Sequence, residues 1–391
     1  MADETEGWPS GFARGETDRR ALAVLLGLGG LSPRKLLELA AHEGEAAACL
    51  EAVKRGAAGS EADRERATDA DGGRILADVT ALGGRLVTTD DPEYPASLED
   101  LADPPAGLFV RGAPLWELAP RIAVVGARRC SALGREVAID IGAGIGATGA
   151  TVVSGAAAGI DAASHEGALQ ALGATIAVLG CGIDVVYPPR NARLIARIVE
   201  AGAVVSEYPP GVPALPFRFP ARNRIVVGLA EALVVVEGAE GSGSLISVEH
   251  ALDLGRRVFA VPGPVTSPLS TAPLRLIREG ATMIRGPEDL LHDLEFDHVV
   301  IARPTPRGLA GIDRAVFDRV VGPTLPAAIA AALGASVPEV VAALMRLELA
   351  GLVRNLGGRY DRRLITASTK ARSDAVPAGD VGPAEAPGVH T

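Results

Sequence analysis

The sequence predicts an α/β protein: an extended Rossmann-like, doubly wound, mostly parallel sheet, with a helical domain before it and a winged helix after it. Three observations predict this. Six short, almost continuous apolar runs alternate with helical stretches: Ile122–Gly126, Thr151–Gly155, Thr175–Gly180, Ala203–Glu207, Ala232–Glu237 and Arg257–Gly263. Strands buried on both faces read this way, and helical crossovers between them make the sheet parallel. Upstream, the apolar spacing is helical; downstream, two short helices run into a Gly357-Gly358 turn, the order helix, turn, helix, hairpin.

The elements follow in order. Residues 1–18 open on an acidic run and read as a disordered tail. Residues 19–82 read as a helical domain of helix-hairpin-helix or SAM-like type. Within it, Gly27, Gly29 and Gly30 break one helix, Ser32 caps the next, and Pro33 sits in its first turn. Such a hairpin can present backbone N–H groups to a DNA phosphate; the alternative is a plain αα-turn. Residues 83–300 form the α/β domain, whose ligands belong beyond the carboxyl ends of its strands. Residues 301–311, with Arg303-Pro-Thr-Pro-Arg-Gly, read as a linker. Residues 312–368 form the winged helix, with helices Leu325–Leu333 and Val337–Ala350, and residues 369–391 a second disordered tail. The second of those helices carries a single Arg, Arg346, so the domain reads as a protein-interaction module.

Composition narrows the class. In 391 residues, 48% are hydrophobic but only 3% aromatic, so Ala, Val, Leu and Ile build the core. The uncharged stretch Ile141–Ile160 holds six glycines, which makes it a poor membrane span. No signal peptide precedes it, and Cys49, Cys130 and Cys181 are too scattered for a disulfide framework or a zinc site. The expectation is a cytoplasmic protein without metal or other cofactor. The net charge of −10 argues against nucleic-acid binding over the whole surface, yet residues 186–224 carry Arg190, Arg193, Arg197, Arg218, Arg222 and Arg224 against Glu200 and Glu207. Local fields decide such binding.

Four segments could carry chemistry. After the first run, Gly126-Ala-Arg-Arg-Cys-Ser lacks a dinucleotide fingerprint but places Arg128 where a helix opens, a position that suits an exposed phosphate; Ser131 lies in the same loop. Ser154 and Gly155 begin the second loop, with Asp161 and His165 one turn apart behind it; without a G-x-S-x-G elbow, a hydrolase triad is a weak reading. In Phe217-Arg-Phe-Pro-Ala-Arg-Asn-Arg, Phe217 and Phe219 interleave with Arg218, Arg222, Asn223 and Arg224. Stacking rings among guanidinium groups suit a single strand; the alternative is buried rings and arginines paired within the fold. Ser242-Gly243-Ser244 enters a helix after a strand and can form an anion-binding nest.

Together these segments resemble the DNA-processing protein A family (DprA, also called Smf). Asp91–Leu98, Asp103–Gly112, Ile122–Ser131, Val152–Leu169, Thr175–Asn191, Ser206–Gly211, Phe219–Arg224, Ser242–Ile246 and Phe259–Gly263 follow the family's signatures in order. The resemblance implies a non-enzymatic protein of natural transformation and recombination. Such a protein binds incoming single-stranded DNA, dimerises, and loads the RecA recombinase. It also implies that Arg128 contacts phosphate and that Phe219 stacks on a base. The match departs at Pro216, where many relatives carry lysine and which Arg218 would replace, and at Ser270–Pro273, where relatives carry a Gly-Cys-His stretch. The rival reading is a nucleotide phosphoribohydrolase-like enzyme on the same sheet, which needs a carboxylate placed beside a phosphate loop.

Overall fold

In the computed structural model, which describes residues 7–296, 309–320, 324–350 and 352–362, each of the six apolar runs is a strand. They are β3 (Arg121–Val125), β4 (Thr151–Ser154), β5 (Thr175–Leu179), β6 (Ala203–Ser206), β7 (Ala232–Val235) and β8 (Arg257–Ala260), all paired in parallel. Three further strands extend the sheet to nine: β1 (Gly84–Thr88), β2 (Gly107–Gly112) and β9 (Thr282–Met283). The order is β1-β2-β6-β5-β4-β3-β7-β8-β9, with β1 and β2 antiparallel. The order reverses beside β3, so the loops after β3, β4 and β7 diverge there and leave a crevice.

Alternation along each strand gives the sheet two cores. On one face Ile122, Val124, Val152 and Val234 pack on α6 (Ala132–Ala147), α7 (Ile160–Gln170) and α12 (Pro287–Asp293). The same layer continues to α8 (Ala192–Ala201), whose Leu194, Ile195 and Ile198 lie on Ala177, Leu179 and Val204. On the other face Ala123, Val125, Val153 and Val235 pack against α9 (Arg218–Gly228), α10 (Gly243–Asp253) and α11 (Thr271–Arg278). The glycine-rich stretch has a packing reason. A Cβ on Gly142 would run into the Ser164 carbonyl, and one on Gly167 into Ile139, so these glycines let α6 and α7 approach backbone to backbone.

The N-terminal domain comprises α1 (Glu16–Leu25), α2 (Pro33–Glu43), α3 (Ala46–Lys54), α4 (Glu61–Asp69) and α5 (Gly72–Ala81). Two expectations change here. Residues 7–18 are not a free tail: Phe12 is fully buried, Trp8 lies against it and donates to Pro104 O at 3.1 Å, and Gly11 and Ala13 donate to the Asp90 carboxylate. Two aromatic rings in an aromatic-poor chain supply the apolar surface that holds this segment down. The glycine hairpin does cap as expected, with Ser32 accepting from Lys35 N. Its amides, however, are spent inside the fold: Gly29 and Gly30 donate to Asp63, a nearly fully buried residue of α4. The αα-turn reading holds here.

The C-terminal unit is α13 (Gly311–Arg319), α14 (Pro326–Leu333), α15 (Val337–Leu349), β10 (Val353–Leu356) and β11 (Arg359–Arg362), the winged-helix order. Gly334 ends α14 in the left-handed conformation, and Ser336 with Glu339 forms a capping box on α15. On β10, Arg354 reaches Asp140 of α6 at 2.7 Å and Asp361 at 3.3 Å, which ties the wing to the sheet domain. Residues 301–308 of the linker and residues 369–391 lie outside the described residues. Among the described residues no single helix is long and apolar enough to cross a membrane.

Candidate nucleic-acid interface

The crevice at the carboxyl ends of β3, β4 and β7 holds two adjoining cavities. One, of about 320 Å³, is lined by Gly126, Arg128, Asp161, Phe219, Arg222, Asn223 and the Ser242–Ser244 turn. The other, of about 340 Å³, is lined by Arg128, Gly155, Phe219, Tyr187, Pro188, Pro189 and Arg190. Arg128 and Phe219 are common to both. The exposed Arg128 guanidinium lies 5.0 Å from the Phe219 ring centroid and has no ion pair among the described residues, so its charge is available to a ligand. Tyr187 stacks on Phe219 at 5.1 Å and keeps 45% of its surface exposed.

The loops are held by specific contacts. Gly126 has no room for a side chain, because a Cβ there would meet Ile160 and the Glu237 carbonyl. Gly159, at φ +86°, lets the second loop pass close to the first. Glu237, after β7, accepts from Ser131 N at 2.8 Å and from Ser131 Oγ at 2.6 Å. Ser131 Oγ in turn accepts from Gly134 N. The N-terminus of α6 is therefore occupied by a carboxylate of the protein itself, and its amides are not an empty anion site. The N-terminus of α10 is open by comparison. Ser242 caps it through Ser244 N, Asn223 Nδ2 donates to Gly243 O at 3.2 Å, and Gly243 faces the first cavity.

Electrostatics in the crevice favour an anion. Arg222 is almost wholly buried in the cavity wall. Its Nη1 donates to Gly155 O at 2.7 Å and to Val178 O, which ties together the ends of β4 and β5. Burial pulls the Arg222 pKa down and the nearby Asp161 opposes this; burial pushes the Asp161 pKa up, against Arg222 and Arg128. Two guanidinium groups against one buried carboxyl leave the crevice positive. No triad forms from the second loop. Ser154 Oγ donates to Val124 O, and His165 Nδ1 pairs with Thr175 Oγ1, both inside the core.

Known proteins resemble this chain along most of its length. Residues 85–295 match the family model for DNA recombination-mediator protein A, and residues 302–359 match the DprA winged helix domain. The chain belongs to the DNA recombination-mediator protein A family. It is 39% identical over 294 residues to protein Smf of Escherichia coli, covering 71% of this chain and 77% of that one. It is 37% identical over 334 residues to a putative DNA processing protein DprA of Mycobacterium tuberculosis, covering 79% and 85%. The X-ray structure of DNA processing protein A from Streptococcus pneumoniae superposes with a TM-score of 0.60 at 34% identity, over 70% of this chain and 95% of that one.

Against this family background the expected site residues divide. Gly126, Arg128, Phe219, Arg222, Asn223, Ser242, Gly243 and Ser244 converge on one cavity, and Gly155 joins them on the other. Ser131, Ser154, Arg218 and Arg224 do not line either one. Arg218 is buried, donates to Pro213 O at 2.7 Å and lies over the Tyr208 ring, so it does not stand in for the lysine missing at Pro216. Arg224 is buried between Glu207 (2.7 Å) and Asp103 (3.0 Å). Phe219 is only 9% exposed, with Arg128 and Tyr187 against its ring, so the ring is part of the packing as well as of the cavity wall. Sequence reasoning missed Tyr187, whose one available signal was being among only four tyrosines in the chain. It also missed Glu237, which meets Ser131 across 106 residues of chain.

Proposed function

We propose that this protein binds single-stranded DNA in recombination, holding the strand in the crevice at the ends of β3, β4 and β7. The observation that carries this reading is the unpaired Arg128 guanidinium on an aromatic wall, opposite the open Ser242–Ser244 turn of α10. Cation, aromatic ring and the positive end of a helix in one concave site match a phosphate and an unstacked base, and cavities of about 320 and 340 Å³ have room for a base but not for a duplex. The residues proposed to touch DNA are Gly126, Arg128, Gly155, Phe219, Asn223 and Ser242–Ser244, with Arg222 supplying charge from the wall. Homodimerisation, loading of the RecA recombinase and a cytoplasmic location belong to this proposal by family resemblance, as does action without catalysis or cofactor.

The test is affinity for oligo-dT and for a matched duplex at two salt concentrations. Tighter binding of oligo-dT, weakening as salt rises, supports the reading because neutralised phosphates release counterions. Equal affinity for the two, or no salt dependence, overturns it. The hydrolase reading would rest on Asp161, the carboxyl in the cavity lining, which is held by the amides of Gly155 and Ala157. Release of free base from nucleoside monophosphates would establish it.

A further inference from the structure

The cavity lined by Tyr187 does not end at its rim. Arg190 lines it, and Arg193 and Arg197 follow along α8. All three side chains are exposed. The opposite face of the helix carries Leu194, Ile195 and Ile198, buried against the sheet. Arg190 sits in the 3-10 turn Pro189–Asn191 that leads into α8, and the four-residue spacing keeps Arg193 and Arg197 on one side of the helix. Among the described residues none of the three has an ion pair or a hydrogen bond, whereas Arg14, Arg19, Arg20, Arg34, Arg64 and Arg85 all pair with carboxylates. In a chain of net charge −10, a row of three unpaired guanidinium groups leading out of the cavity is a local field aimed at an anion.

We propose that Arg190, in the turn just before α8, and Arg193 and Arg197 on the helix form a basic rail that carries the DNA backbone onward from the crevice. This inference rests on the proposed single-strand binding and extends its footprint beyond the cavity. At a rise of ~1.5 Å per residue, the rail is roughly 10 Å long, enough to face about two or three phosphates at the ~3.4 Å spacing of a stacked strand. Arginine suits the task, because its fork meets phosphate oxygens in pairs and keeps its charge at every relevant pH. Continuity with the cavity through Arg190 selects a nucleic-acid strand over an acidic protein segment, which would have no reason to start at Tyr187.

The experiment compares the full chain with the variant Arg193→Ala/Arg197→Ala, using oligo-dT of about 4 nucleotides, which fills the crevice alone, and of about 16 nucleotides, which reaches past it. Both substituted side chains are exposed and unpaired, so the melting temperature should not change. The variant should bind the short oligonucleotide like the parent chain. It should bind the long one about 25-fold more weakly at 0.1 M salt, with a salt slope smaller by about 1.4, from ~0.7 per lost phosphate contact on a single strand. Arg193→Lys/Arg197→Lys should restore most of the loss. Unchanged affinity for the long oligonucleotide, or an equal loss on both lengths, overturns the rail and leaves the crevice standing. Failure of the parent chain to bind either oligonucleotide overturns the crevice and the rail together.

Discussion

Arg224→Ala separates a DNA contact from a structural ion pair. The side chain lies five residues along α9 from Arg128's partner Phe219, but its guanidinium is sealed between Glu207 and Asp103. Burial opposes its charge, and the two carboxylates outweigh that and raise its pKa. Glu207 is itself buried, at 6% exposure, so the substitution strands a carboxylate in the interior. Breaking a buried pair in this way costs about 3–5 kcal/mol, against roughly 0–1 kcal/mol for a surface pair. Urea denaturation should show that loss, and Glu207→Gln in the same chain should recover part of it by removing the orphaned charge. The salt slope for oligo-dT, measured on the folded fraction, should stay at the parent value. An Arg224→Ala chain within about 1 kcal/mol of the parent, with a slope lower by ~0.7, would refute the structural assignment and return Arg224 to the DNA.

Phe219→Ala should cost about 3 kcal/mol, the lower end of the range for a buried ring because open cavities border it, whereas Tyr187→Ala should melt near the parent temperature and still weaken oligo-dT binding by ~1–3 kcal/mol; a stable Phe219→Ala chain, or a Tyr187→Ala chain with parental affinity, would contradict this. His165 is held neutral to about pH 3 by burial and by the Arg222 charge. Between pH 6.5 and 3 the unfolded chain takes up a proton that the folded chain refuses, so stability falls as pH drops through that window, by up to ~1.4 kcal/mol per unit. His165→Asn should lose about 2 kcal/mol less than the parent between pH 6.5 and 5, and parallel stability curves would exclude the effect. Burial raises the Cys49 thiol to about 12 and the Cys181 thiol to about 11. Iodoacetamide at pH 8 should therefore label half-buried Cys130 ahead of both, as read by mass spectrometry.

The sheet was legible because its signal is local. Strands β3 to β8 are buried on both faces, so each is an apolar run that needs no knowledge of its neighbours. Strands β1 and β2 carry Arg85 and Arg111 and sit at an antiparallel edge, where that signal is diluted. The segment 7–18 was misjudged because the acidic run Asp3, Glu4 and Glu6 ahead of it dominated the reading, while the packing of Trp8 on the buried Phe12 decides its fate. The site was half legible for a similar reason. Loop glycines and helix caps are short-range features, and they pointed to Gly126, Arg128 and the Ser242–Ser244 turn, which line one cavity. The arginines of α9 are indistinguishable by spacing. What separates them is a set of distant partners: Gly155 and Val178 carbonyls for Arg222, Pro213 and Tyr208 for Arg218, Glu207 and Asp103 for Arg224. Of Arg128, Arg218, Arg222 and Arg224, only Arg128 is exposed and without an ion pair among the described residues.

That charge is the most direct test of the account. Arg128→Ala removes an exposed cation that has no ion pair among the described residues and rests only on the Phe219 ring, so the melting temperature should stay close to the parent's. Affinity for oligo-dT should fall, and the salt slope should shrink by about 0.7 for the one lost phosphate contact. An Arg128→Ala chain that binds oligo-dT with parental affinity and parental salt slope would contradict the claim that this crevice holds the strand.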